Sequence, residues 1–236
     1  RRLAKTLKKK FNPANTASSK LRIPDSNTGL QNLPDRSILR PLMRTASQNR
    51  DTAETKIQLS VNIDGSGTAD IDTGIPFFDH MLTLLTRHSL MDLTVKVDGD
   101  VEVDFHHTVE DTGIVLGECL REALGNKKGI TRYGSAYLPM DETLSRVVID
   151  LSNRPHLEFR FPENTPDAQN FQFTLVEEFF RAVTSNLRAN IHAELLYGRD
   201  GHHIAESLFK GLARALKQAC EIDPRVTGIP STKEVL

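Results

Sequence analysis

The sequence predicts an α+β fold built from two duplicated half-domains around a shared core, and three observations carry that prediction. The pentapeptide His-His-x-x-Glu occurs twice, at residues 106–110 and 202–206, 96 residues apart. Each copy opens a helix-like segment after the same run of strand and helix signals. Aligning residues 106–124 with 202–220 gives six identities in 19: both histidines, the glutamate, and Leu116/Leu212, Leu120/Leu216 and Ala123/Ala219. Six matches are weak alone. With the same order of elements around them, they favour an internal duplication.

From Lys56, the residues Ile57, Leu59, Val61 and Ile63 alternate with polar ones, the period of a half-buried strand. Asp64-Gly65-Ser66-Gly67 breaks it, and Ala69 and Ile71 begin a second strand. A helix is expected from Phe77 to His88, with Phe78, Met81, Leu82 and Leu85 on its apolar face. Leu93, Val95 and Val97 predict the next strand, and Val101, Val103 and Phe105 another, joined as a hairpin at Asp98-Gly99-Asp100. A helix over 108–124 ends at Gly125-Asn126. The second half offers a strand pair at about 144–151 and 156–161, a helix over Phe173–Arg188, a strand over Ile191–Leu196 and a helix over 203–221. The half-domains are expected at about 50–140 and 141–225, with a C-terminal tail at 226–236.

The net charge of −1 conceals a division. Residues 1–50 carry 12 Lys/Arg against Asp25 and Asp35, whereas the rest carries 18 basic and 29 acidic residues. Residues 1–45 lack an apolar period and are expected to be a basic, solvated tail rather than a nucleic-acid arm. Their composition permits an organellar transit segment, but they lack the apolar run of a secretory leader, so the expected compartment is the cytoplasm. No stretch is apolar enough to span a membrane. Cys119 and Cys220 belong to no CxxC pair and read as buried, reduced thiols.

The repeated motif points to metal chemistry. Imidazole nitrogens and carboxylate oxygens suit a borderline divalent ion such as manganese, iron or zinc. Positions i and i+4 of a helix share a side, so His106 and Glu110, and likewise His202 and Glu206, can converge on one ion. Adjacent residues diverge by about 100°, so each doublet suggests two ions or an ion shared across an interface. His80 and His192 precede the two doublets and are candidates to complete the ligand sets. Arg132, Arg154, Lys210 and Lys233 stand at punctuated positions suited to gripping an anion. Glu54 is ambiguous on spacing alone, and His88 suits either a place behind the ligands or a substrate-facing one. The residues alone reach a dinuclear metal site beside an anion pocket. A phosphate-ester hydrolase and a metal-storage protein are the competing readings, and the second leaves the basic residues without a task.

The runs Phe77-Phe78-Asp79-His80-Met81-Leu82, His106-His107-Thr108-Val109-Glu110-Asp111, Pro139-Met140-Asp141-Glu142 and His202-His203-x-x-Glu206 closely resemble the imidazoleglycerol-phosphate dehydratase family of histidine biosynthesis. The resemblance runs from about Arg50 to Lys233. It implies helices packed between sheets, an octahedral homo-oligomer of twenty-four subunits with interfacial active sites, and two manganese ions per site. It implies the ligand set His80, His106, His107, Glu110, His192, His202, His203 and Glu206. Glu54 matches the family's acid/base glutamate, with Glu110 and Glu206 as further carboxylates at the chemistry. Arg132, Arg154, Lys210, Ser231 and Lys233 match phosphate- and substrate-binding positions, and His88 lies among them. The implied reaction removes water from imidazole glycerol phosphate to give imidazole acetol phosphate, with the metals making the imidazole ring an electron source. Three positions depart from the family pattern: Leu84 replaces a common Gln, and Asn153 and Glu234 replace glycines.

Overall fold

The computed structural model describes residues 43–236. The basic segment expected as a tail lies outside these residues up to position 42. Twelve elements follow in order: β1 (Thr45–Asp51), β2 (Thr55–Asn62), β3 (Ala69–Asp72), α1 (Pro76–Ser89), β4 (Asp92–Gly99), α2 (His106–Leu124), β5 (Tyr133–Met140), β6 (Thr143–Asp150), β7 (His156–Arg160), α3 (Phe173–Leu187), β8 (Asn190–Tyr197) and α4 (Gly201–Cys220).

The duplication is visible in the topology. The first sheet has the order β1-β2-β4-β3 and the second β5-β6-β8-β7, the same pattern twice. In each, the last strand runs parallel to its neighbour, β3 with β4 and β7 with β8, so α1 and α3 are crossover helices. Ile57, Leu59, Val61, Leu93 and Val95 line the inner face of one sheet, and Val147, Ile149, Ile191 and Ala193 that of the other. The helices fill the space between: α2 packs on β1, β2 and α3, and α4 on β5, β6 and α1. Phe78, Phe171, Phe179, Phe180 and Phe209 form the aromatic centre of one continuous core. Cys119 and Cys220 are free and buried within it, and burial pushes both thiols up to about 12.

α2 and α3 approach more closely than ordinary side chains allow. A Cβ on Gly113 would lie 2.8 Å from Ala182 Cβ, and one on Gly117 would lie 2.9 Å from the Val183 carbonyl oxygen. Two glycines one turn apart therefore set the interhelical distance.

Three expectations need correction. Val101–Phe105 forms no strand: Val101 N–H donates to Gly99 O and Val103 N–H to Asp100 O, closing tight turns. β4 is already flanked by β2 and β3, so no edge remains for a hairpin partner. The segments at 144–151 and 156–161 do not pair with each other, because β8 lies between β6 and β7. Two edge strands, β1 and β5, carry too few buried apolar residues to be read as strands; in β1 only Ala46 is buried. With β5 included, the topological repeat begins at Tyr133 rather than at residue 141.

Candidate metal centre and anion pocket

Both histidine doublets sit in the first turn of a helix, and carboxylates hold each turn in place. Asp104 Oδ1 accepts from the His106 amide (2.8 Å), and Asp200 Oδ1 accepts from the amides of His202 (2.9 Å) and His203 (3.1 Å). At the start of α1, Asp79 Oδ1 accepts from the Thr73 amide and hydroxyl (2.9 and 2.6 Å), which fixes the turn carrying His80.

Across the α1–α4 contact, His80 Nε2 lies 3.0 Å and His202 Nε2 lies 3.1 Å from Glu206 Oε1. These three donors lie within 4.8 Å of one another. Glu206 is nearly buried, at 8% side-chain exposure, and Lys210 donates to its other oxygen. Burial pushes this carboxyl up, but hydrogen bonds from Lys210, His80 and His202 outweigh it and bring it to about 2. An anionic carboxylate and two imidazole nitrogens at this separation fit a borderline divalent cation. Three donors are fewer than such an ion normally takes, so the group reads as part of a coordination sphere.

The other expected ligands stand apart from this group. His106 Nε2 is 3.7 Å from Glu110 Oε2, the expected i, i+4 pair. The rings within each doublet meet at 84°, His106 on His107 and His202 on His203, so neighbouring imidazoles aim in different directions. His192 projects from the outer face of β8 beside His156, with ring centroids 5.8 Å apart. Glu54 lies in the turn between β1 and β2, half exposed, with Oε1 3.7 Å from His107 Nε2.

Sequence reasoning missed two carboxylates. Asp100 receives His107 Nδ1 at 3.0 Å, and Glu142 receives His203 Nδ1 at 2.8 Å. These hydrogen bonds raise the proton affinity of both imidazoles, and the His203 bond holds Glu142 down at about 2. Glu142 was visible inside the Pro-Met-Asp-Glu run, but nothing in its spacing tied it to a histidine 61 positions away.

Arg132, Arg154, Ser231 and Lys233 share one cavity of about 710 Å³, with Tyr133 and Thr232. Arg132 is already engaged: Nε and Nη2 donate to Asp150 (2.7 and 3.1 Å), and Nη1 donates to Pro230 O (2.8 Å). It therefore ties the C-terminal segment to the second sheet. Arg154 is two-thirds exposed, and its nearest carboxylate oxygen is 3.7 Å away, on Asp150. Asn153 and Glu234 have φ of 62° and 59°, the left-handed region that favours glycine. This accounts for the glycines that the family pattern implies at these two places. His88 lines a different cavity, of about 580 Å³, with Tyr137, Arg214 and Lys217. Burial lowers its pKa, and the charges of Lys210 and Arg214 lower it further. Lys210 is spent on Glu206 and approaches Met140 Sδ at 3.6 Å. Leu84 is half-buried against the core.

A family model described as imidazoleglycerol-phosphate dehydratase matches residues 73–216. A protein of that name from Akkermansia muciniphila is 66% identical over 196 residues, covering 82% of this chain and 100% of the relative. One from Azorhizobium caulinodans is 57% identical, covering 82% and 99%. The fold is similar to the crystal structure of imidazoleglycerol-phosphate dehydratase from Staphylococcus aureus, with a TM-score of 0.69, 41% identity and coverage of 76% of this chain and 99% of that one. It is also similar to that of IGPD from Pyrococcus furiosus, with a TM-score of 0.70, 38% identity and coverage of 80% and 100%. Matched through both halves of the duplication and along the whole length of these relatives, the chain belongs to the imidazoleglycerol-phosphate dehydratase family.

Proposed function

We infer that this chain is a hydro-lyase that dehydrates imidazole glycerol phosphate to imidazole acetol phosphate in histidine biosynthesis. The observation that carries the chemistry is the convergence of His80, His202 and Glu206 around one point, with an anionic carboxylate at its centre. The residues that would hold divalent metal are His80, His106, His107, Glu110, His192, His202, His203 and Glu206, with two manganese ions per site. Such ions supply positive charge that favours the deprotonated, electron-rich form of an imidazole ring.

The chain's own groups account for binding and proton movement. Arg154, Ser231 and Lys233 grip the phosphate, and Arg132 keeps Ser231 in place through the Pro230 carbonyl. Glu54, exposed beside His107, hands a proton to the departing hydroxyl, which leaves as water. A carbon-bound proton then passes from the dehydrated substrate to the carboxylate that Glu54 has become, which gives an enol that ketonises and restores the acid. Glu206 remains a carboxylate throughout.

The expected assembly is a homo-oligomer of twenty-four subunits with sites between copies. Two observations support an interfacial site: among the described residues the metal group has only three donors, and none of these three lines the anion cavity. Among the described residues no helix is long and apolar enough to cross a membrane, and cytoplasmic operation is proposed with it. The test is a product assay on imidazole glycerol phosphate with Mn²⁺-loaded protein and a chelated control. Keto product without inorganic phosphate is expected. Phosphate release would instead identify a phosphate-ester hydrolase.

A further inference from the structure

The duplicated halves diverge at one equivalent pair of glutamates. Glu54 immediately precedes Thr55, the first residue of β2, and Glu142 immediately precedes Thr143, the first residue of β6. Both threonines are buried at 1% exposure, but Thr55 Oγ1 donates to Asp111 Oδ2 (2.5 Å) whereas Thr143 Oγ1 donates to Glu142 Oε1 (3.1 Å). The glutamates are used differently. Glu142 is occupied on both oxygens: Oε2 takes His203 Nδ1 at 2.8 Å, and Oε1 accepts from the amides of Asp200 (3.0 Å) and Arg199 (3.3 Å). Glu54 is half exposed and faces Nε2, not Nδ1, of His107. In the first half, Asp100, from the turn after β4, occupies the Nδ1 side instead, at 3.0 and 3.2 Å.

The two halves thus reach the same local arrangement from different elements. In each, a carboxylate backs Nδ1 of the second histidine. Nε2 of each ring faces the other way, 3.7 Å from Glu54 Oε1 for His107 and 3.8 Å from Asp141 Oδ2 for His203. A neutral imidazole carries one N–H, and an acceptor fixed at Nδ1 selects the tautomer whose Nε2 lone pair is free. Such carboxylate-backed histidines are oriented, more basic donors, and losing the backing carboxylate costs about 10–100-fold in metal affinity.

We propose that Asp100 and Glu142 are positioning residues that fix His107 and His203 as Nε2 donors, and that Asp100 thereby leaves Glu54 free for proton transfer while its counterpart Glu142 is locked into the second half-site. This rests on the metal-site reading given above. The experiment titrates metal-depleted wild type, D100A, E142A, E142Q and E54Q with Mn²⁺ alone. Free ion is followed by electron paramagnetic resonance, and the unfolding midpoint of each metal-depleted protein is measured in parallel. D100A and E142A are expected to bind about 10–100-fold more weakly. E142Q, which keeps an acceptor oxygen, should fall between them and wild type, and E54Q should bind as wild type does. Tight binding by wild type with unchanged affinity in D100A and E142A would overturn the proposal alone. So would E142Q falling as far as E142A with an equal drop in unfolding midpoint, since the carboxylate would then be only structural. Loss of affinity in E54Q equal to that in E142A would overturn the divergence of the two glutamates. A wild type that takes up no Mn²⁺ would overturn the metal-site reading and this proposal together.

Discussion

Replacing Asp111 with alanine tests how the fold holds its proposed acid. Asp111 is the residue after Glu110 and is buried at 6% exposure. Its Oδ2 accepts from Thr55 Oγ1 at 2.5 Å, and its Oδ1 pairs with Arg50 Nη2 at 2.9 Å. Thr52 Oγ1 accepts from the amides of Glu54 (3.2 Å) and Thr55 (2.9 Å), so this carboxylate ties the turn carrying Glu54 to α2, while the Asp100 amide, donating to Glu54 O at 3.1 Å, ties it to the end of β4. Without the Asp111 carboxylate, the buried Thr55 hydroxyl keeps only the 3.3 Å contact with Thr52 Oγ1, a loss of about 1–2 kcal/mol. Arg50 is more than a third exposed and rehydrates, adding less than about 1 kcal/mol. The expected total is about 2 kcal/mol, read by denaturant unfolding of metal-depleted protein. A displacement of Glu54 by about 1 Å should also lower kcat roughly 100-fold with little change in KM. Asp111→Asn retains the acceptor for Thr55 and should lose much less on both measures. Unchanged kcat in Asp111→Ala, or an asparagine variant as impaired as alanine, would refute this suspension of the turn.

Glu234→Gly removes a β-carbon from a left-handed position and should tighten the C-terminal segment by about 1 kcal/mol, seen as slower proteolysis near Ser231; Asn153→Gly should instead loosen that segment, because asparagine tolerates the conformation and its Nδ2 donates to Leu236 O at 2.8 Å. Arg154→Ala should raise KM for the phosphate substrate at least tenfold with the fold intact, whereas Arg132→Ala should also loosen the C-terminal segment, as limited proteolysis would report. Burial lowers the Lys127 pKa from 10.5 to about 8, so the unfolded chain binds more protons between these values. Stability should therefore rise with pH from about 8 to 10.5, and Lys127→Met should remove that slope in denaturation measured across this range.

Most of the fold was legible because its inner strands and helices carry strong periods. Ile57, Leu59 and Val61 announce β2, and Phe78, Met81, Leu82 and Leu85 announce α1. What escaped was set by tertiary context. β1, with the sequence Thr-Ala-Ser-Gln-Asn-Arg-Asp, is held as a strand by pairing with β2. β5 admits Gly134 because a Cβ there would meet the Ala215 carbonyl oxygen at 1.9 Å. The period at Val101, Val103 and Phe105 was real, but the neighbours of β4 were already chosen. In the site, the i, i+4 geometry of the HHxxE helices was readable from spacing. The backing carboxylates Asp100 and Glu142 were not, because hydrogen bonds to Nδ1 come from turns whose direction only the folded sheets define.

The most direct test follows keto product and bound Mn²⁺ in the same titration of metal-depleted protein with imidazole glycerol phosphate present. The account predicts that turnover is absent in chelator, rises with bound Mn²⁺ and saturates at about two ions per chain, as the two doublets require. Full turnover by metal-free protein, or no keto product from protein carrying its full complement of Mn²⁺, would contradict it.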